Sequence, residues 1–587
     1  MAYGIKYRCR FDSLHGVETT VNILKNGYSG SVINRPLGKA PVIRMNDGDP
    51  FRATSCDLSI ECQVDGEFAE FYTSDPFEFR VDVYRGSTQI WTGFIATELY
   101  SEPNIAPPYD VAITATDGLG TLKEYDFEAA GVKTLGAHMR TLLGKNGLEL
   151  SSIDWVMKLS AAGGTVPDFV DTVAINLDYL VGEDCYTVLE TLLRSLHATI
   201  TQYAGRWLII RETDMTVASS GNISIYRTPA RTGSTTATTI TGGRKSVGKM
   251  GVADMWPVGY TTRRVVPAKK RSTVEAPWNI VNAAYSVQDN AWTTQGSALF
   301  VEVGNGNSYY SLSGNASSIS NIMMARVLPS FTKSLEVKVR CAIPPSLQNY
   351  AGIKVGVIAK YTPDGGTDYY WDGESWSTAA PTGTDSWPTV DVATDLASEA
   401  SEQTFNIPAP GTTTTGEFYL YVAGILGVRI FDVDLRPIVN KGYRDEIVIS
   451  NGARGDGDTV SITGGRMTQS EYSFPASYQG IWLPGINYST PVYLFTDNNF
   501  ASKDFLSIQA LGRAMSVALP RVETSGTLDV PANMALPPVV IRANNVNSLV
   551  KSYDWNLNDD EMRFTAITLP SADMTVTSET VKPIGNA

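Results

Sequence analysis

Between Phe77 and Phe127 apolar and polar side chains alternate with a period of two, and that period commits the segment to β-structure. Phe79, Val81 and Val83 alternate with Arg80, Asp82 and Tyr84, the pattern of a strand with one buried and one wet face. Arg85-Gly86-Ser87 supplies a tight turn, and Gln89 to Ala96 forms a second strand in which Gly93 marks a bulge or bend. After Pro103, Pro107 and Pro108, Tyr109 to Ala115 makes a third strand that runs into Thr116-Asp117-Gly118-Leu119-Gly120-Thr121-Leu122-Lys123. Asp117 is read there as a junction residue capping a turn. The same alternation recurs in Ile5 to Phe11 and Leu58 to Val64, which suits a barrel or sandwich.

A chain of 587 residues is too long for one core and divides into roughly three to five domains. Its 51 glycines and 30 prolines, with abundant Thr, Ser, Val and Tyr between short apolar runs, predict a mainly β, multidomain protein with a few helices. Charged residues make up 18%, too few for a long disordered chain. One helix is expected from Thr134, with Leu135, Met139, Leu142 and Leu143 on one face and Asn146-Gly147 as its stop. A second is expected over Cys185 to His197, with Val188, Leu189, Leu192, Leu193 and Leu196 on one stripe and Asp184 as N-cap. Both read as packing struts between β-domains. No apolar run approaches the roughly 20 residues of a membrane span, and the first eight residues lack the apolar core of a signal peptide. The expectation is therefore a product without a membrane-spanning segment, made in a cytoplasm.

Cys9, Cys56, Cys62, Cys185 and Cys341 show no CxxC spacing, so reduced, buried thiols are expected rather than a disulfide scaffold or zinc site. Cys56 and Cys62 would meet only if their strands pair. His15, His138 and His197 lie far apart and read as packing or capping residues. The net charge of −14 argues against nonspecific nucleic-acid binding by the whole molecule. That charge is unevenly spread. Residues 241–271 hold eight basic side chains against Asp254 alone, whereas 277–440 carries a net −7. Val274-Glu275-Ala276-Pro277 reads as the joint between these two units. The domains expected are a β-barrel-like unit at 1–130, a helix and β-hairpin unit at 131–276, a jelly-roll-like β-sandwich inserted at 277–440, and a β unit at 441–587. Thr239-Ile240-Thr241-Gly242-Gly243-Arg244 returns as Ser461-Ile462-Thr463-Gly464-Gly465-Arg466, one copy on each side of the insertion.

Chemistry is mostly absent. Gly242-Gly243-Arg244-Lys245-Ser246 lacks the first glycine of a phosphate loop, and no helical pattern follows it. Arg454-Gly455-Asp456 reads as a turn. No GxSxG, HExxH or EF-hand loop occurs, so no catalytic residue, metal site or cofactor is expected. The richest candidate is Asp368-Tyr369-Tyr370-Trp371-Asp372-Gly373-Glu374-Ser375-Trp376, with Trp387 beyond. Aromatic faces beside carboxylates suit sugars, because CH groups stack on rings while acids accept from hydroxyls. Tyr369, Tyr370, Trp371, Asp372, Trp376 and Trp387 are thus candidate glycan contacts. Asp372-Gly373 is equally a hairpin turn with Trp371 and Trp376 as its cross-strand pair, and Asp368, Asp372 and Glu374 offer a calcium-loop alternative. Arg263, Arg264, Lys269, Lys270 and Arg271 form a candidate basic contact patch, with a solvated linker as the alternative.

The Thr116 to Lys123 pattern resembles tail-hub proteins of tailed bacteriophages, the family related to the central baseplate hub of contractile tails and the tail-tip protein of siphophages. In that family a barrel strand ends in an Asp-Gly-Leu, Leu-Lys stretch that hands over to helices. Cys185 to Ile200, followed by Gln202 and Gly205 to Arg211, is similar to the family's helix and β-hairpin. Leu511-Gly512-Arg513 to Gly526-Thr527-Leu528, with Tyr553 to Asn558 and Met562 to Leu569, is a third matching piece. The resemblance covers Met1 to about Asp214 and about Lys441 to Ala587. It implies a non-catalytic virion component at the tail tip or baseplate that closes the tail tube, a homotrimer whose two β-barrel-like units per chain build a pseudo-sixfold ring. It also implies distal-tail, tail-tube and tape-measure proteins and tail fibres or receptor-binding proteins as partners. The 277–440 segment, with strand signals at Leu335 to Val339, Ile353 to Tyr361, Gly416 to Ala423 and Val428 to Leu435, resembles a carbohydrate-binding module in architecture. Alternative readings are an adhesin for host-surface glycans, a distal-tail ring protein, and a polysaccharide-degrading tail enzyme.

Overall fold

Residues 3–128, 131–148, 150–161, 169–229, 235–277, 499–571 and 574–584 are described by the computed structural model, together with the strands, turns and single residues named below between 279 and 497. The fold is mainly β, in several sheets with a few helices. The largest sheet contains 15 strands. Its path runs from Trp256–Pro257 through Arg521–Asp529, Glu561–Thr568 and Val546–Asn556 to Leu37–Met45. It continues through Thr54–Cys62, Tyr109–Thr116, Thr88–Ile95, Phe79–Arg85 and Glu18–Asn26 to Tyr3–Asp12 and Ile33–Asn34. The seam between the early and late segments is antiparallel, with Val42 opposite Asn556 and Met45 opposite Tyr553. The period of two does the sorting: Tyr109, Val111, Ile113 and Ala115 enter the core while Asp110, Ala112 and Thr116 are exposed.

Several local readings are corrected by the three-dimensional arrangement. The register shift in the Phe79–Arg85 and Thr88–Ile95 hairpin falls at Ile90, since Val83 faces Trp91 and Tyr84 faces Gln89. Gly93 stays in the ladder, and glycine is needed there because a Cβ would lie 2.2 Å from the Thr116 carbonyl oxygen and 2.4 Å from the Trp91 ring. Cys56 and Cys62 share the strand Thr54–Cys62. Six residues along one strand hold them about 20 Å apart, so they cannot meet. All five cysteines are buried free thiols. Arg454 to Asp456 begin the strand Arg454–Ser461 rather than forming a turn. Leu511 to Arg513 lie inside the helix Phe505–Val517, which the sequence reading passed over.

The helix Leu135–Gly144 is capped by Thr134, whose side chain accepts from the Ala137 amide. Asp184 caps Cys185–Ser195 by accepting from the Thr187 amide at 2.8 Å, and Asp504 does the same for Phe505–Val517 from Ser507 at 3.0 Å. Their apolar faces share one core with Trp155 and Trp207 of the five-stranded sheet and with Val274, Ala276, Ile447 and Ile449. Asp117 is buried at the junction that precedes these helices. It accepts from the Thr54 amide at 2.6 Å, the Thr54 hydroxyl at 3.0 Å and the Leu119 amide at 3.1 Å. Burial pushes its carboxyl up to about 6 despite those donors.

A six-stranded and a seven-stranded sheet make up the inserted sandwich. Leu335, Val337, Val339 and Cys341 of one and Phe418, Leu420 and Val422 of the other share one core, as face-to-face sheet packing requires. Residues 274–277 are a strand and not a loose linker. Lys269–Pro277 pairs antiparallel with Gly442–Ile449, so that Pro277 faces Gly442 and the chain leaves and returns on adjacent strands. The same strand pairs in parallel with Arg454–Ser461. The echoed segments do not pair with each other: Thr239 and Ile240 end the strand Thr236–Ile240 in the five-stranded sheet, and Ser461 ends Arg454–Ser461 in the four-stranded one. Gly465 and Arg466 lie outside the described residues, as do Trp278, Asp372 and Trp387.

Asp445, on the returning strand, is fully buried. Burial and then the Glu579 carboxylate push its carboxyl up to about 7. The folded state therefore holds a proton that the unfolded chain releases near pH 4, and stability falls as pH rises from about 4 through 7. Asp445→Asn is expected to unfold like the parent at pH 4 and to be more stable at pH 8, by up to roughly 4 kcal/mol. Chemical denaturation at both pH values checks this.

Candidate functional site

The hairpin at 369–377 sets the geometry of the candidate glycan site. Tyr369–Trp371 pairs with the strand Lys354–Pro363, and Trp371 faces Trp376 of Trp376–Ser377 across the turn. Trp371 is 2% exposed and belongs to the sandwich core. Trp376 packs against that core, and its Nε1–H donates to the Pro408 carbonyl at 2.7 Å. The Trp371 indole belongs to the core at this point, and the Trp376 indole is half-buried against it. Tyr369 is half-buried opposite Tyr361, and Tyr370, opposite Lys360, turns to the outer face.

On that outer face the register brings together side chains that no sequence motif connects. Lys360 faces both Tyr370 and Tyr419, and Tyr421 lies opposite Ile358. The Lys360 ammonium lies 5.1 Å from the Tyr419 ring centre and 5.8 Å from that of Tyr370. It also pairs with Asp368 Oδ2 at 2.8 Å, while the hydroxyls of Thr362 and Tyr370 donate to Asp368 at 2.7 and 3.3 Å. The hydrogen bond between them raises Lys360 and lowers Asp368 from their ordinary values. A hydrogen bond to Glu417 raises the Tyr419 phenol, and burial raises that of Tyr421. The result is a phenolic face around one held ammonium–carboxylate pair, able to stack on an apolar ligand face and to exchange hydrogen bonds with hydroxyls. Tyr419 and Tyr421 went unnoticed because their partners lie some fifty residues away; the only signal was the alternation within Gly416 to Ala423.

As for calcium, Asp368 is engaged by Lys360, and Glu374 is exposed on the turn. Among the described residues no three His, Cys, Asp or Glu side chains gather where they would hold a metal ion.

The basic patch is divided by its strands. Arg263 and Arg264 lie on the exposed strand Thr262–Val266, with Arg264 Nε 3.2 Å from Glu523. Lys269, Lys270 and Arg271 belong to Lys269–Pro277, where Lys269 pairs with Asp458 at 3.1 Å and Arg271 with Glu446 at 3.5 Å. Three of the five cations are thus matched by carboxylates, and Arg263 and Lys270 face solvent. Gly242 to Ser246 leads into the strand Arg244–Val247, paired in parallel with Val540–Ala543. Two of the three histidines have polar contacts. His15 Nε2 lies 2.9 Å from Asp529, His138 Nε2 lies 2.9 Å from the Ile175 carbonyl, and His197 lines a cavity.

No family model and no curated protein sequence matches the chain. Among solved structures it is similar to a 43 kDa tail protein of prophage MuSo2 from Shewanella oneidensis, over 95% of this chain and 100% of that one, at 9% identity and a TM-score of 0.36. A partial likeness is to the CBM22-1 xylan-binding domain from Paenibacillus barcinonensis Xyn10C, over 28% of this chain and 96% of that one, at 9% identity and a TM-score of 0.19. Another is to xylanase 10C from Cellvibrio japonicus, over 27% of this chain and 29% of that one, at 9% identity and a TM-score of 0.18.

Trp371→Ala is expected to cost about 3–5 kcal/mol, as removal of a core aromatic does, whereas Tyr421→Ala on the outer face is expected to cost about 1 kcal/mol. Thermal unfolding of the full chain distinguishes them.

Proposed function

We propose that this chain is a structural component of a bacteriophage tail, a hub or tail-tip protein that closes the tail tube and carries an outward-projecting sandwich. The observation that carries this reading is the two-strand root: the sandwich leaves at Pro277 and returns at Gly442 on paired strands, rooted beside a sheet shared by residues 3–116 and 521–568. Such a root lets a sandwich be inserted without interrupting the base. The base also has an edge suited to assembly. The strand Thr262–Val266 pairs on one side only among the described residues. Beside it Tyr260 is fully exposed, Val252 is 87% exposed and Met250 74%. An unpaired edge flanked by apolar side chains is a surface that a neighbouring subunit covers.

In this reading the chain is a homotrimer that sits among distal-tail, tail-tube and tape-measure proteins and mounts fibres or receptor-binding proteins. It performs no catalysis. Light scattering is expected to give three times the 63.6 kDa of one chain, and Tyr260→Asp to weaken that assembly. Imaging of intact virions is decisive: density at the tail tip supports the proposal, and density in a side fibre or the capsid refutes it.

A second reading, that the sandwich holds host-surface glycans, is favoured by the Lys360, Tyr370, Tyr419 and Tyr421 face. Full-length protein on a glycan array is expected to bind, with Tyr370→Ala and Tyr419→Ala reducing the signal at least about tenfold. Binding unchanged by both substitutions rejects this face.

A further inference from the structure

Two adjoining cavities open where the large sheet, the turn after Cys185–Ser195 and the helix Phe505–Val517 meet. The larger, of about 210 Å³, is lined by five cations, Arg52, Lys269, Arg513, Arg521 and Lys551, against two carboxylates, Asp49 and Glu212. The smaller, of about 130 Å³, shares Asp49, His197 and Arg513 with it and adds Gln509. Four of the cations are already matched. Arg521 pairs with Glu212, Lys269 and Arg513 share Asp458, and Lys551 Nζ lies 2.9 Å from Asp47.

Arg52 is different. It is 3% exposed, its side chain's only hydrogen bond among the described residues is a long one of 3.4 Å from Nη1 to the Val550 carbonyl, and its Nε has no acceptor there. No carboxylate among the described residues pairs with it, and burial lowers its affinity for its proton. Gln509, 2% exposed, leaves both amide atoms without partners, and His197 Nδ1 is likewise unpartnered. The His197 imidazole is held well below its ordinary value, first by burial and then by Arg513 and Arg211, while Glu212, Asp47 and Asp49 act on Arg52 without pairing with it. A buried charge without a counter-ion is costly, and a guanidinium fork with open donors matches oxyanion geometry.

We propose that the larger cavity is a binding site for a small oxyanion of the phosphate class, anchored by Arg52 at its buried wall, with Lys551 and Arg521 beside it. The volume falls below the roughly 300 Å³ at which pockets for drug-sized ligands begin and suits a single small ion. Asp49 sharpens the choice. Phosphate near neutral pH keeps an O–H that a carboxylate accepts, whereas sulfate offers acceptors alone. The site is independent of the tail reading and stands or falls separately from it.

Titration calorimetry of the full-length protein with inorganic phosphate, at ionic strength held constant with potassium chloride, is expected to show one site per chain. Sulfate is expected to bind more weakly. Arg52→Met retains the apolar stem, removes the open donors, and is expected to weaken phosphate binding at least about tenfold while raising the melting temperature in phosphate-free buffer. Lys551→Gln, at the partly exposed wall, is expected to weaken binding severalfold with the fold intact, so the test stands even where Arg52→Met fails to fold. Absence of saturable phosphate binding by the parent protein overturns the proposal, as does unchanged affinity in the variants. Equal affinity for sulfate overturns the assignment to the phosphate class.

Discussion

The pairing of Leu37–Met45 with Val546–Asn556 is the contact on which the rest depends. It joins residues some five hundred positions apart, and the closure entropy of so long a loop grows only with the logarithm of its length. A continuous ladder and a shared core can therefore offset it. The join is reinforced in the interior, where Arg85 Nη1 meets Asp560 at 2.5 Å, Arg85 Nε donates to the Met534 carbonyl at 3.1 Å, and the guanidinium lies 5.5 Å from the Trp555 ring centre. Both charged groups are almost fully buried. Removing either alone would leave its partner unpaired, the costly half of a buried ion pair.

From that seam the other parts take their places. The five-stranded sheet and the three helices pack into one core, and the buried Arg211 guanidinium ties the strand Arg206–Arg211 to Asp214 at 2.8 Å and to Asp497 on the strand Phe495–Asp497. The root of the sandwich sits against the same core through Val274, Ala276, Ile447 and Ile449. The two strands at the base of the sandwich are thus held by packed side chains. The outer face around Lys360 and the cavity around Arg52 belong to different parts of this arrangement, so one can change without the other.

Much of the architecture was legible in the sequence because its signals are local. The period of two announced the strands, and Thr134 and Asp184 announced two helix starts through the amides they cap. Where the reading failed, a longer-range constraint had prevailed. Gly93 was taken for a bulge residue, yet it is there because the Thr116 carbonyl and the Trp91 ring leave no room for a Cβ. The helix Phe505–Val517 was missed because it is buried nearly all round, Phe505, Leu506, Ile508, Ala510, Leu511, Ala514 and Met515 included, which erases the one-sided stripe that marks an amphipathic helix. The aromatic run at 369–376 was conspicuous, but Trp371 serves the core while the outer face draws Tyr419 and Tyr421 from another strand.

By itself the sequence determined the β class and two of the helix caps, since each follows from neighbours within a few positions. Only the tertiary structure decided which strands share a sheet, which aromatics face outward, and that Arg52, Lys269, Arg513, Arg521 and Lys551 surround one cavity. The physical reason is that alternation specifies two faces for a strand but not the strand beside it. Charge and ring clusters built across strands are products of register, and register is set by the whole core.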